Sequence, residues 1–115
     1  MGLWGKDRFW FMRMGSNHEI LQVRGRWHRV VPPAQRGEVL LALNDWNRER
    51  IWPKAYLRTE EGLVAVYAEV SVDLNEGVTD EQIDAHIRRG LAAGGNLFES
   101  LSLQMPESRT GSGPA

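Results

Sequence analysis

One long run of alternating side chains constrains the fold of this chain more than any other feature. Within residues 63–74 (LVAVYAEVSVDL), valine, alanine and leucine fill one set of alternate positions, whereas Tyr67, Glu69 and Ser71 belong to the other set. A period of two is typical of a β-strand with one buried face and one more polar face. The chain is therefore expected to form a sheet whose apolar face is covered by other elements.

Three further segments have strand character, and turn-forming residues join the strands in two hairpins. The segments are residues 8–14 (RFWFMRM), 19–29 (EILQVRGRWHR) and 54–59 (KAYLRT). In residues 19–29, Leu21, Val23 and Trp27 alternate with polar side chains, which predicts a half-buried antiparallel strand. The turns are predicted at residues 15–17 (GSN) and 60–62 (EEG), because glycine and asparagine tolerate turn conformations.

Two segments have the periodicity of a helix. In residues 34–50, the apolar side chains recur at three- and four-residue spacing: Val39, Leu40, Leu43 and Trp46. The second helix begins at a capping box formed by Thr79 and Gln82, and its apolar stripe contains Ile83, Ile87, Leu91, Phe98 and Leu101. Gly90 and Gly94 lie on the same stripe, so this helix either packs very closely on the sheet or kinks or breaks near residues 94–95.

The resulting order of elements is ββα-ββα. It predicts an α+β fold, in which an antiparallel sheet carries both helices on one face. The length of 115 residues fits one domain over residues 1–105. Residues 106–115 (PESRTGSGPA) are small and polar, and they are expected to form a disordered tail.

The composition excludes several functional classes. The chain has no cysteine, which rules out disulfide frameworks, thiolate nucleophiles and zinc fingers. A net charge of −1 argues against broad nucleic-acid binding. No apolar run approaches the ~18 residues of a membrane-spanning helix, and residues 1–10 lack the apolar core of a secretory signal. We therefore expect a cytoplasmic protein that binds neither nucleic acid nor membrane.

The sequence contains no recognisable catalytic or metal-ligating constellation. His18, His28 and His86 are far apart, and there is no P-loop and no nucleophile elbow. Glu69 and Asp73 share a strand face, where we expect cross-strand pairs with arginines 24 and 26 rather than an acidic site. We therefore predict that the protein is not an enzyme and that it binds no metal and no cofactor.

The most distinctive stretch is residues 43–57 (LNDWNRERIWPKAYL), at the predicted end of the first helix. A structural interpretation is that it forms a polar helix end, in which asparagines bond a neighbouring loop. A functional interpretation is that Asn47, Arg48, Arg50 and Trp52 form a recognition surface, because tryptophan and arginine often anchor interfaces. We favour the first interpretation and keep these residues as candidates for partner binding.

Four segments of the chain resemble the YbjN family of bacterial sensory transduction regulators. They are RFWF at residues 8–11, LQVRGRWHR at 21–29, LNDWNRERIWPKAYL at 43–57 and AEVSVDLNEGVTDEQIDAHI at 68–87. The resemblance implies a fold like that of the type III secretion chaperones, which commonly dimerise and bind other proteins. It implies no enzyme activity, no cofactor and no catalytic residues. Members usually begin with a helix before the first hairpin, whereas this sequence opens on a predicted strand.

These observations give one functional hypothesis and one alternative. The hypothesis is a non-catalytic regulatory or chaperone-like module that binds another protein. The alternative is a small-ligand or nucleotide-binding protein, with weak enzyme activity, that uses a cleft between the helix end and the sheet. A homodimer is also expected, because Leu63, Ala65 and Tyr67 form an apolar patch on the strand face opposite the valines.

Overall fold

The computed structural model describes residues 2–75 and 77–105, so the predicted tail at 106–115 lies outside the described residues. The strands are β1 (Gly2–Trp4), β2 (Asp7–Met14), β3 (Ile20–Val31), β4 (Lys54–Glu60) and β5 (Leu63–Asp73). The helices are α1 (Arg36–Glu49), preceded by a 3₁₀ turn at Pro33–Gln35, and α2 (Asp80–Gln104). The predicted α+β class and the ββα-ββα order are confirmed, with one additional strand at the start.

The strands form one five-stranded antiparallel sheet in the order β1-β2-β3-β5-β4. Helix α1 packs beside β4, and α2 packs across β2, β3 and β5 on the same face of the sheet. The sequence analysis missed β1, which pairs Leu3 with Arg8. Its three residues are too few to show an alternating pattern.

The hairpin between β4 and β5 is a two-residue connection. Its residues Glu61 and Gly62 have φ values of 53° and 82°. Two consecutive residues with positive φ match the twist of antiparallel strands, and this geometry explains why glycine occupies the second position. The turn fixes the register that places Tyr56 opposite Tyr67 and Ala55 opposite Ala68.

The core lies between the helices and one face of the sheet. Its largest fully buried side chains include Trp27, Phe9, Phe98, Leu43, Leu97 and Leu101. The predicted burial of Trp27, Leu43 and Trp46 is confirmed. Leu40 was expected on the buried stripe of α1, but 36% of it is exposed. This prediction is wrong because α1 lies at the edge strand of the sheet, so the side of the helix away from α2 has little to pack against.

The glycines of α2 mark close packing rather than a break. The helix is continuous over Asp80–Gln104, and the predicted capping box is present at Thr79 and Gln82. A Cβ atom at Gly90 would lie 2.7 Å from the Cβ atom of Val23, and one at Gly94 would lie 2.8 Å from a ring carbon of Phe9. Real Cβ atoms do not make such short contacts, so these two glycines allow α2 to approach the sheet.

The end of α2 is tied to β3 by side-chain hydrogen bonds. The guanidinium group of Arg29 donates to the carbonyl oxygens of Met105 (2.6 Å) and Ser102 (3.0 Å). The indole N–H of Trp27 donates to the hydroxyl oxygen of Ser102 at 3.0 Å. Carbonyl groups in the last turn of a helix have no partner inside the helix, and here Arg29 supplies one. These bonds hold the last turn of α2 in place.

Candidate functional site

Asn47 joins the end of α1 to the outer edge of β4. Its side-chain N–H group donates to the carbonyl oxygen of Ala55 at 2.9 Å, and the N–H group of Ala55 donates to its side-chain oxygen at 3.1 Å. Because β4 is an edge strand, these two backbone groups have no neighbouring strand on that side. The amide of Asn47 thus takes the place of a neighbouring strand. This agrees with the structural interpretation of residues 43–57, in which asparagines of the helix end bond a neighbouring segment.

Arg48 lies on the exposed side of α1. Its guanidinium group is 3.1 Å from the carboxylate of Asp45 and 3.5 Å from that of Glu49. All three side chains are at least 60% exposed, and pairs of this kind contribute little to stability.

A groove of about 700 Å³ lies between the end of α1 and the second half of α2. We call it the α1–α2 groove. On one side it is lined by Trp46, Arg50 and Trp52, and on the other by Ala93, Asn96, Glu99, Ser100, Leu103 and Gln104. Its walls therefore combine two indole rings and an aliphatic side chain with amide, hydroxyl and charged groups.

Two arginines lie against the tryptophans of this groove. The Arg50 guanidinium carbon is 3.9 Å from the centre of the Trp46 ring, and that of Arg89 is 5.1 Å from the centre of the Trp52 ring. Both distances are within the range of a cation–π interaction. Neither arginine forms an ion pair with a carboxylate in the described part of the chain.

Large apolar side chains are exposed around the α1–α2 groove. Trp52 is 43% exposed, Leu103 is 81% exposed, and Ile51, next to Trp52, is 88% exposed. Single exposed apolar residues are common, but a cluster of them beside a concave surface is typical of a binding site. The groove is the part of the described surface that best matches an interface core with a charged rim.

The sheet face opposite the helices carries a second polar cluster, in which Arg24 and Arg26 each pair with a carboxylate of the same chain. Arg24 lies 3.2 Å from the carboxylate of Glu69, which also accepts a hydrogen bond from the Tyr56 hydroxyl. The predicted pairing of Arg24 with an acidic residue on β5 is confirmed. Arg26 pairs instead with Glu60 at 2.9 Å, because the register places Arg26 opposite Tyr67 rather than opposite an acidic residue.

The tyrosines of this cluster stay protonated over a wide pH range. Burial, followed by the hydrogen bond to Glu69, raises the pKa of Tyr56. Burial and the bond to Glu60 likewise raise the pKa of Tyr67. The hydrogen bond from Tyr67, followed by that from Arg26, lowers the pKa of the Glu60 carboxyl group. These shifts stabilise the existing charges, so the cluster has the properties of a structural network.

The apolar patch expected on this face is largely covered within the chain. Ala65 is 0% exposed and Tyr67 is 8% exposed, whereas Leu63 at the turn is 39% exposed. The ring of Tyr56 stacks on that of Tyr67 at 5.6 Å between centroids, with 12° between their planes. Strand β4 thus covers part of the patch that was expected to be buried by a second chain.

His86 is buried on α2 and lines a smaller cavity of about 240 Å³. The cavity walls are mostly apolar, with Val72, Leu74, Val78 and Ile83 among the lining residues. Burial, together with the positive charge of Arg89, lowers the pKa of His86. Neither ring nitrogen makes a hydrogen bond of standard geometry in the described structure. Over residues 2–75 and 77–105, no three histidine or acidic side chains come together in a way that could hold a metal ion.

Comparison with known proteins identifies the family. The family model of YbjN, described as "Putative bacterial sensory transduction regulator", matches residues 1–102. The chain belongs to the YbjN family. No curated protein matches it significantly. Neither described helix of this YbjN protein is long and apolar enough to cross a bilayer.

The crystal structure of YbjN from E. coli, described as "a putative transcription regulator", has a similar fold. The TM-score is 0.66 at 17% sequence identity, and the alignment covers 75% of this chain. The chain spans about 60% of the length of the E. coli protein. The YbjN fold predicted from the sequence is therefore confirmed, whereas the likeness to type III secretion chaperones stays a prediction.

Within this YbjN fold, two of the candidate partner-binding residues share a surface and two do not. Arg50 and Trp52 line the α1–α2 groove, whereas Asn47 bonds the β4 edge and Arg48 faces solvent. The sequence analysis missed Arg89 and Leu103, which α2 brings to the same surface. Leu103 gave one local signal, since it is apolar and lies off the buried stripe of α2.

Proposed function

We propose that this YbjN protein is a non-catalytic, cytoplasmic regulatory or chaperone-like module that binds another protein. The binding surface is the α1–α2 groove, with Arg50 and Trp52 as its main contacts. The observation that carries the proposal is the arrangement of tryptophan and arginine in the groove, where two guanidinium groups lie against indole rings without a carboxylate partner in the described structure. Tryptophan and arginine are the residues that most often dominate binding energy at interfaces.

The groove also favours one kind of partner. The exposed rings and Leu103 provide a surface for a large apolar side chain. The charges of Arg50 and Arg89 favour carboxylates on either side of that side chain. A partner segment with an apolar anchor flanked by acidic residues fits both features. Such a complex would weaken as the salt concentration rises, because part of its attraction is electrostatic.

Site-specific photocrosslinking in a bacterial host tests the proposal. Benzoylphenylalanine is introduced at Trp52 or at Leu103, and at Leu3 on the opposite edge of the sheet as a control, since Leu3 is 65% exposed. We expect the same protein adduct from both groove positions and no such adduct from Leu3. The adduct should disappear when Arg50→Glu is added. Adducts of equal yield at all three positions, or none at the groove, would contradict the proposal.

A second candidate function is supported by the cavity at His86. Its apolar walls surround a buried imidazole whose nitrogens make no hydrogen bond of standard geometry in the described structure, an arrangement that suits a small apolar molecule with one polar group. A thermal-shift screen against metabolites distinguishes the two functions. A shift of several degrees that is lost in His86→Leu, together with an absence of groove adducts, would favour small-ligand binding, at a different place from the cleft at the helix end that the sequence analysis considered.

A further inference from the structure

The cavity at His86 has an apolar lining that comes from three parts of the fold. Strand β5, the connection that follows it and helix α2 contribute Val72, Leu74, Val78, Ile83 and Ala85. Val78 is 37% exposed although its side chain is aliphatic. A ligand that removes such side chains from water gains free energy of binding. The lining therefore favours a ligand with an apolar body.

The polar groups of the cavity are mainly hydrogen-bond donors. Gln82 and Arg89 line the cavity on either side of His86 along α2. The side-chain oxygen of Gln82 accepts a hydrogen bond from the N–H group of Thr79 at 2.8 Å, so its NH₂ group is the part that a ligand can use. The guanidinium group of Arg89 has donors only. These groups suit a ligand that accepts hydrogen bonds.

The charged group that lines the cavity in the described structure is a cation. Burial and then the positive charge of Arg89 lower the pKa of His86, so this charge acts on a group in the cavity wall. Asp84 is the acidic residue nearest to His86 in the sequence, but it pairs with Arg88. It also lies on another side of α2, because residues two apart on a helix do not face each other. The described cavity therefore favours an anion over a cation.

The volume of the cavity limits the size of the ligand. At ~30 Å³ for each water-sized group, a cavity of about 240 Å³ holds roughly eight non-hydrogen atoms. Ile83 and Arg89 lie ~9 Å apart along the axis of α2. An anionic group at Arg89 thus leaves room for a short apolar body that extends past His86 towards Ile83.

We propose that this cavity binds a small monocarboxylate, whose carboxylate group pairs with Arg89 and whose aliphatic or aromatic body lies against Val72 and Ile83. The inference rests on the second candidate function, for which it names the class of ligand. A neutral molecule of the same shape gains the apolar contacts but lacks the charge-assisted bonds to Arg89. An amine of the same shape is repelled by that guanidinium group.

Titration of the full chain with sodium hexanoate tests the ligand class. Hexanoate matches the volume of the cavity, and 1-hexanol and hexylamine are controls of the same chain length. The readouts are the NMR signals of the His86 imidazole and of the Trp52 indole, against which Arg89 lies. We expect saturable shifts of both signals with hexanoate. The affinity for hexanol should be lower by about tenfold or more, and hexylamine should not bind.

Two adjacent arginines provide matched variants. Arg89→Gln should weaken the binding of hexanoate by about tenfold or more and leave that of hexanol nearly unchanged. Arg88→Gln should change neither, because Arg88 pairs with Asp84 instead. Ala85→Leu should weaken the binding of both molecules, because the larger side chain fills part of the cavity.

Three outcomes would overturn the proposal. They are an absence of saturable shifts with hexanoate, equal affinities for hexanoate, hexanol and hexylamine, and an equal loss of affinity in Arg88→Gln and Arg89→Gln. A neutral metabolite whose thermal shift depends on His86, found while hexanoate fails to bind, would show that the ligand class is wrong and that the small-ligand function stands. The absence of any such shift would overturn both.

Discussion

The side-chain amide of Asn47 supplies Ala55 with both hydrogen bonds that a neighbouring strand would provide. The two bonds measure 2.9 and 3.1 Å and connect residues that are close in the chain but belong to different elements. They fix the end of α1 against the sheet edge. They also limit how much of that edge is available for pairing with another chain.

This relationship predicts a large difference between two asparagines of α1. Asn47→Ala should lower the free energy of unfolding by about 1–3 kcal/mol, because it leaves two groups of the buried Ala55 without partners. Asn44→Ala should change it by less than about 0.5 kcal/mol, since Asn44 is exposed and alanine is a good helix former. Urea denaturation of both variants measures the difference. Equal effects would mean that the Ala55 bonds do not stabilise the fold.

The glycines of α2 predict opposite effects at adjacent positions. Gly94→Ala should destabilise the protein by about 1–3 kcal/mol, because its Cβ atom would overlap the ring of Phe9. Gly95→Ala should stabilise it by about 0.5–1 kcal/mol, because nothing lies within 4 Å of a Cβ atom there and alanine favours the helix. Thermal unfolding of the pair provides the measurement. A stabilising Gly94→Ala would show that α2 does not approach the sheet this closely.

At the end of α1, substitution of the buried Trp46 should destabilise the protein far more than substitution of the exposed arginines. Trp46→Ala should cost about 3–5 kcal/mol, because Trp46 is only 8% exposed and its removal leaves a cavity. Arg50→Ala should cost no more than about 1 kcal/mol, the value of one cation–π contact. Arg48→Ala should be neutral within about 0.5 kcal/mol. Denaturant melts test the series, and an arginine that matters as much as Trp46 would indicate a buried polar network at the helix end.

His86 predicts a dependence of stability on pH. Burial lowers its pKa in the folded state below the ordinary value of 6.5, so the unfolded chain binds the proton more strongly. The neutral ring therefore makes its full contribution to the free energy of unfolding above pH 6.5. That contribution is lost as the pH falls from 6.5 towards the folded-state pKa. His86→Gln should remove this part of the profile. The free energies of unfolding of the wild type and the variant are measured at about pH 7.5 and about pH 5.5, on either side of the ordinary histidine pKa. A difference between the two proteins that is the same at both pH values would refute the prediction.

Much of the fold could be predicted from local patterns. The alternation in β5 and the capping box of α2 were sufficient because each pattern is contained within one element. Leu40 was misassigned because the width of the buried stripe on α1 depends on where that helix lies relative to the sheet edge. The groove could be predicted only in part, since Arg50 and Trp52 are local to the helix end, whereas Arg89 reaches Trp52 only after the chain has folded.

One side chain lies between the α1–α2 groove and the cavity at His86. Arg89 lines the cavity at His86, and its guanidinium group also lies against Trp52 in the α1–α2 groove. An anion that draws this guanidinium group towards the His86 cavity removes a positive charge from the groove, and a carboxylate in the groove has the reverse effect. Two ligands that both bind through this guanidinium group would therefore be thermodynamically linked, and each would change the affinity of the other by the same factor.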